Sequence, residues 1–317
     1  MNRTATFVAL AFLVPALAEA SCGSAFCTVN TNWTAESASV DAGSSFDLRY
    51  EFIKQDQPRT GTDDIAVGQV PRHHDEVRTY NRNLVASFSH TFSSGWGLSI
   101  VAPLTDRDHL HIHNHHGAQL SEQWQYQELG DVRVTGRYQL PLAGDAANPS
   151  TAGLLFGVKL PTGSTSVTNA AGSVAERSLQ PGTGTTDLLL GAYYHQRLPA
   201  SDISWFAQAQ VQQAIAEHAG YKPGGQLTAD LGVRKNLTEK LGGLVQLNMV
   251  VKRRDSGAEA EPEDSGSRSL FVSPGLAYTL SDNMQVYGFI QQPLYQNVNG
   301  VQLTARRAAT IGISGRF

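Results

Sequence analysis

The chain is short of charge, short of cysteine, and without a long apolar run in its mature part. Asp, Glu, Lys and Arg make up 16 % of the 317 residues, against roughly 25 % in soluble domains. The mean hydropathy is nevertheless −0.24, because 30 glycines and many neutral polar residues fill the gap. That balance does not fit an ordinary soluble enzyme; it fits a protein with one apolar face and one wet face. A basic excess is missing too. The net charge is −4 and the pI lies near 6.2, which argues against a nucleic-acid binder, where a basic stripe is expected. After the first twenty residues no run of 18 apolar residues occurs, which excludes a helical membrane span.

The two cysteines, Cys22 and Cys27, sit together in SCGSAFC. In an oxidising compartment they read as a local disulfide, with a metal-binding pair or a redox dithiol as the alternative. Their spacing is neither the C-x-x-C of redox motifs nor the C-x-x-C-H of haem attachment. Residues 1–20 read as a secretory signal peptide: Arg3, the apolar stretch TFVALAFLVPALA, then Ala18-Glu19-Ala20 as the cleavage signal. The apolar stretch is too short for a membrane helix, and Glu19-Ala20-Ser21 is a poor lipobox for Cys22. The expected organisation is a signal peptide over 1–20, a periplasmic N-terminal segment with the Cys pair over 21–43, and a barrel over 44–317.

What the remainder does contain is alternation with a period of two. In GDVRVTGRYQL (130–140), Val132, Val134, Tyr138 and Leu140 share one face, and Asp131, Arg133, Thr135, Arg137 and Gln139 share the other. ISWFAQAQVQ (203–212), QLTADLGVR (226–234) and the C-terminal stretch from Leu303 to Phe317 repeat the pattern, which is that of strands. Twelve strands are predicted, at 44–54, 80–92, 95–106, 128–140, 151–160, 185–197, 202–214, 225–236, 241–252, 269–280, 283–294 and 303–317. Mostly short connections alternate with mostly long polar ones, at 55–79, 107–127, 161–184 and 253–268. An even strand count with loops sorted by end predicts an all-β protein, a single transmembrane antiparallel up-and-down β-barrel of the bacterial outer membrane. Only closed barrels or helices satisfy every backbone polar group in lipid. Tyr80, Phe92, Trp96, Tyr138, Tyr194 and Tyr278 are candidate interfacial aromatics, and Phe317 matches the C-terminal signal read by the outer-membrane assembly machinery.

LGDVRVTGRYQL (129–140), GVKLPTGSTS (157–166), LQPGTGTTDLLLGAYYHQRL (179–198) and VYGFIQQPLYQNVNGVQL (286–303) resemble, in that order, the outer-membrane transporter family named after the meta-pathway of phenol degradation. The resemblance implies a barrel that passes small, often apolar, molecules across the outer membrane. It implies no particular binding residues.

Five histidines crowd into HLHIHNHH (109–116). If strand 95–106 continues without a bulge, Trp96, Leu98, Ile100, Ala102 and Leu104 face lipid, while His109, His111, His113 and His115 extend the lumen row. A ladder over the pore mouth would result. Histidines two residues apart on a strand lie about 7 Å apart on one face, which allows two imidazoles to converge on Zn, Cu or Ni. With His116 these are the candidate metal ligands, with Asp106 and Asp108 as added oxygen donors and His73 and His74 in the preceding loop. A solvated polar loop is the plainer alternative, and no cofactor is required. Pro103 threatens the phase, because proline in a strand often marks a bulge.

The lumen candidates are Asp131, Arg133, Arg137, Lys159, Asp187, His195, Asp230, Arg234, Lys252 and Arg306. They form either a selectivity field or a salt-bridged, hydrated interior. PTGSTS and PGTGTT do not match the phosphate-cradling loop. Three functions compete: a pore for small solutes, a surface metal-binding barrel using 109–116, and a membrane-embedded hydrolase. The third lacks a recognisable serine partner for His90 or His195, the histidines within the predicted strands. The leading expectation is therefore a non-enzymatic pore whose partners are outer-membrane lipid, the assembly machinery and a small solute.

Overall fold

The computed structural model describes residues 29–31, 42–71, 73–115, 118–142, 145 and 147–317. The expected signal peptide and the Cys22–Cys27 pair lie outside the described residues. The strands run in chain order as β1 (Gly43–Gly61), the short β2 (Asp63–Asp64), β3 (His74–Thr91), β4 (Trp96–His115), β5 (Ala118–Leu129), β6 (Arg133–Leu140), β7 (Ser150–Lys159), β8 (Asp187–Leu198), β9 (Ile203–Ala214), β10 (Gln226–Asn236), β11 (Leu241–Lys252), β12 (Ser267–Ser281) and β13 (Met284–Arg316).

Each long strand pairs antiparallel with its neighbours, and β13 closes the circuit onto β1. β13 doubles back at Gly300, whose φ of +54° favours glycine. Its first leg pairs with β12 and its second with β1. β5 and β6 occupy one position, since β5 pairs with the far half of β4 and β6 with the near half. Counted this way the barrel has the expected twelve staves among the described residues.

The alternating sequence explains the sheet. Along β9 and β10, Leu227 faces Val211, Leu231 faces Ala207 and Val233 faces Trp205 on the outer surface, while Thr228 faces Gln210 and Asp230 faces Gln208 within. The outer belt on β4 runs from Trp96 to Leu104, the nine or so residues a tilted strand needs to cross a bilayer. Its neighbours in register are Phe88 and Leu84 on β3, and Leu48 and Tyr50 on β1. At the belt's near edge Trp96 packs on Tyr138, with ring centroids 4.8 Å apart, and Tyr194 on Trp205 at 5.1 Å. Directly above Leu104 the outer row turns charged: Asp106 pairs with Arg82 at 3.2 Å and Asp56 with Lys54 at 2.7 Å.

Above that row the backbone pairing continues. β1, β3, β4 and β5 extend as a tall hairpin sheet through most of the predicted long connections 55–79 and 107–127. Pairing persists there while the outward face becomes polar, so the alternation that reveals a lipid-facing strand disappears. Asp106 and Asp108, expected to point at the histidines, face outward; Asp108 lies 3.9 Å from Arg78 and accepts a hydrogen bond from Gln123.

Candidate functional site: the filled lumen

Two inserted segments occupy the barrel interior. At one level lie Val29, Asn30 and Thr31, all buried. The Asn30 backbone amide donates to Gln246 Oε1 at 3.0 Å, and Gln246 Nε2 returns a bond to the Asn30 carbonyl at 2.9 Å. Asn30 Nδ2 donates to Gln208 at 3.2 Å and Arg49 to Thr31 at 3.2 Å. Val29 packs with Phe206, Leu244, Tyr287 and Phe289. This part of the segment expected in the periplasm therefore lies inside the barrel.

The second insertion is the 161–184 connection. Its residues 178–182 are buried, and Leu179 packs against Trp124 of β5, Ala175 and Leu303 of β13. Arg107 of β4, 2 % exposed, donates to Asn81 at 2.7 Å and to the Leu179 carbonyl at 2.8 Å. Trp124 Nε1 donates to the Ser173 carbonyl at 2.9 Å, and the Tyr126 hydroxyl donates to that of Leu179. At the base of the loop its arms touch backbone to backbone, because a Cβ on Gly182 would stand 2.4 Å from the Gly163 carbonyl oxygen. Only glycine fits there.

The base is locked by charge. Asp131 accepts bonds from Lys159 Nζ at 2.7 Å, Gly163 N at 3.1 Å and Thr183 N at 3.0 Å. Lys159 Nζ also lies 3.4 Å from Asp187, which accepts from Thr185 at 2.7 Å and Gln212 at 2.6 Å. Asp131, Lys159 and Asp187 are therefore a salt-bridged support. Arg133 differs: it makes no hydrogen bond or ion pair among the described residues, yet it lines a central cavity of about 130 Å³. Arg49, Arg107, Arg177 and Lys252 line the same cavity, and Asp131 and Asp187 are its lining carboxylates. A wider cavity of about 310 Å³ lies near the short-turn end, between Asp47, Arg234, Asp282 and Arg316.

The other lumen candidates are dispersed. Lys252 pairs with Asp255 at 2.9 Å, and Asp230 accepts from Asn248 at 2.8 Å. Arg137 donates to Thr91, and His195 and Arg234 share a small void with Phe206 and Gln246. Arg306 departs from expectation. The register of β1 against β13 shifts between Lys54 and Gln55 and again between Gln55 and Gln57. Arg306 is thereby exposed and bonds Gln57, while Leu303, expected on the lipid face, is buried beside Leu179.

The histidine run lies in β4 and keeps the predicted phase: His109 is 0 % and His111 3 % exposed. The ladder does not hang over an open mouth, because Trp124, Glu176 and the inserted loop cover it. His109 Nδ1 bonds Thr79 Oγ1 at 2.8 Å, and His111 Nε2 bonds Glu122 at 3.1 Å. Both rings stand above the apolar belt, and burial pushes both below the usual imidazole range, His109 to about 4. His113 is a quarter exposed and lies 3.8 Å from Glu122. His115 ends β4, and His116 is outside the described residues. Glu76, Glu122, Glu176 and Arg107 were missed by sequence reading, since the first three belong to separate segments and the arginine lay in an expected loop. Near the short-turn end Ser44 Oγ and His90 Nδ1 are 2.9 Å apart, a Ser–His contact also missed. Among the described residues no carboxylate or carboxamide bonds the other nitrogen of that ring.

A closed antiparallel sheet with an apolar outer belt and a wet, charged interior defines a transmembrane β-barrel of the outer-membrane class. Residues 111–310 match the profile of the family described as putative MetA-pathway of phenol degradation, and the chain belongs to that family. Among solved structures, an outer-membrane channel of Pseudomonas putida F1 superposes with a TM-score of 0.62 at 11 % identity, covering 87 % of this chain and 96 % of that one. The NanC porin gives 0.45 at 12 % identity over 86 % and 100 % of the two chains. The CymD monoaromatic hydrocarbon channel gives 0.42 at 8 % over 92 % and 94 %. No curated protein matches the chain by sequence.

Proposed function

We propose that the protein lets small, largely apolar or aromatic solutes diffuse across the outer membrane, without catalysing a reaction. The observation that carries this reading is the lumen itself. Cavities of about 310 and 130 Å³ lie inside the barrel, and inserted chain lines both, Thr31 the first and Ser178, Gln180 and Thr183 the second, so a shift of either insertion widens the interior. The central cavity suits one ring, since a cavity of about 150 Å³ holds benzene. Its lining cations, with Arg133 unbonded among the described residues, favour solutes whose ring carries a phenolic or carboxylic oxygen. The family's description, phenol degradation, agrees with that class. Lipid is the solvent of the outer belt. Phe317, 73 % exposed at the end of the closing strand, is the element we assign to the assembly machinery, after signal-peptide cleavage at the membrane.

The test is solute-driven swelling of liposomes carrying the refolded protein, comparing benzoate, phenol and a disaccharide. Entry of the aromatic solutes faster than the disaccharide, with faster entry of all three after deletion of residues 164–181, supports the reading. No entry of any solute into either set of liposomes overturns it.

A further inference from the structure

We infer that His74, Glu76, His111 and Glu176 form a binding site for one divalent transition-metal ion of the Zn²⁺ type, which ties the inserted loop to the barrel wall. The four residues come from β3, β4 and the 161–184 loop. Each offers one ligand atom, and these atoms all lie within 4.8 Å of one another. His74 Nε2 is 3.3 Å from Glu176 Oε1 and 3.6 Å from Glu76 Oε1, and His111 Nδ1 is 3.8 Å from Glu176 Oε1. Hydrogen-bonded pairs of these types approach to about 2.7–2.9 Å. Tetrahedral ligands at zinc bond lengths stand about 3.3–3.4 Å apart instead. The three distances, 3.3, 3.6 and 3.8 Å, are longer than hydrogen bonds and nearer the separation of ligands around a common centre, toward which the four groups would draw in by a few tenths of an ångström or more.

The surroundings of the cluster point the same way. His111 Nδ1 is buried and makes no hydrogen bond, while its Nε2 is held by Glu122 at 3.1 Å. That carboxylate–histidine pairing is how metal-bound imidazoles are oriented. His109 repeats the arrangement: Thr79 fixes its Nδ1 at 2.8 Å, and its buried Nε2, also without a hydrogen bond, lies 3.5 Å from Glu76 Oε2. It stands next to the four ligands and supports Glu76. The two carboxylates have side chains 0 % and 7 % exposed, so both oxygens reach the cluster from within the barrel. Histidine nitrogen with carboxylate oxygen in a four-ligand set selects zinc-like ions over calcium or magnesium.

The consequence is structural control. Three ligands sit on the wall and Glu176 sits on the loop that fills the lumen, three residues before Leu179. Metal binding would hold that loop in its inserted position, and removing metal would free it. This second step rests on the pore reading above; the binding itself does not.

The test uses the refolded full chain, stripped with chelator and titrated with ZnCl₂ by calorimetry. One tight Zn²⁺ per chain is expected, lost in Glu76→Gln/His111→Gln and retained in His113→Ala. Glu122→Gln is expected to weaken binding roughly 10-fold to 100-fold. Heat-modifiable gel migration verifies that each variant is a folded barrel. No Zn²⁺ uptake by the wild type, or equal uptake by the folded double variant, overturns the site. Glu176→Gln tests the tie: it should bind more weakly, and proteolysis of the loop in it should no longer be slowed by Zn²⁺. Wild-type affinity in that variant, or loop cleavage indifferent to Zn²⁺ in the wild type, overturns the tie. Both readouts stand independently of solute passage, so a barrel that conducts nothing would still answer the question.

Discussion

Lys159→Met is expected to damage the barrel more than any exposed lysine substitution, and the structure sets the size. The Lys159 ammonium lies 2.7 Å from Asp131 and 3.4 Å from Asp187, with side-chain exposures of 4 %, 8 % and 3 % for the three residues. Removing one partner from a buried ion pair costs about 3–5 kcal/mol, because the remaining charge is left without compensation. Here two carboxylates remain. Gly163 and Thr183 amides still hold Asp131, and Thr185 and Gln212 still hold Asp187, which places the expectation at the lower end, about 3 kcal/mol. Because Asp131 also clasps both ends of the 161–184 loop, the loop should become sensitive to protease in the same variant. Neutralising all three residues, as Asp131→Asn/Lys159→Met/Asp187→Asn, removes the uncompensated charge and should recover most of the loss. The assay is guanidinium unfolding of the refolded protein in micelles, followed by tryptophan fluorescence, with limited proteolysis in parallel. A loss below about 1 kcal/mol for Lys159→Met, the range of solvent-exposed pairs, would refute the buried-latch account.

Three further expectations concern the two insertions. Leu179→Ala should loosen the loop by about 2–5 kcal/mol, the range for emptying a buried leucine site, and shift the emission of Trp124, which packs against it. Gly182→Ala should open the base of the loop, because its Cβ would meet the Gly163 carbonyl oxygen at 2.4 Å; raised single-channel conductance is the measurement. Gln246→Ala removes both bonds to the Asn30 backbone, each worth about 0.5–1.5 kcal/mol. It should release the 29–31 segment, seen as faster cysteine labelling of Asn30→Cys in that background, with unchanged unfolding of the barrel.

Within the membrane belt the sequence was readable almost residue by residue. Lipid on one side and water-like polarity on the other impose strict alternation, so β9, β10 and the lower part of β4 declare their faces. The phase from Trp96 through Leu104 to His111 held across Pro103, because β4 pairs with β3 there without a register shift. Above the belt both faces of a strand are polar, and the signal vanishes although pairing persists. That is why the expected strand 80–92 starts later than β3, why β5 falls within the expected connection 107–127, and why Arg107 carries no signal. The bulges of β1 near Gln55 carry no marker in composition, and they moved Leu303 and Arg306 to opposite faces from those expected. The histidine cluster was legible only as half of itself. His111 announced a site, but Glu76 and Glu176 reach it by strand pairing and loop insertion, contacts no local pattern encodes.

The loops' role follows from barrel geometry. Eight staves leave an interior that side chains alone can fill, whereas twelve leave a wider one, and here backbone enters to fill it. The two insertions are held differently from a protein core. Their apolar contacts are few: Leu179 and Ala175 against Trp124 and Leu303, and Val29 among Phe206, Leu244 and their neighbours. Most of the rest is hydrogen bonding with backbone groups: Arg107, Tyr126 and Gln246 donate to carbonyls, and Asp131 accepts from an amide. Such bonds are worth about 0.5–1.5 kcal/mol each for the neutral Tyr126 and Gln246 and about 1.5–3 kcal/mol for the charged Arg107 and Asp131. The strands differ, since a ladder bond broken in lipid finds no partner. Displacing either insertion therefore costs less than breaking the ladder of the wall.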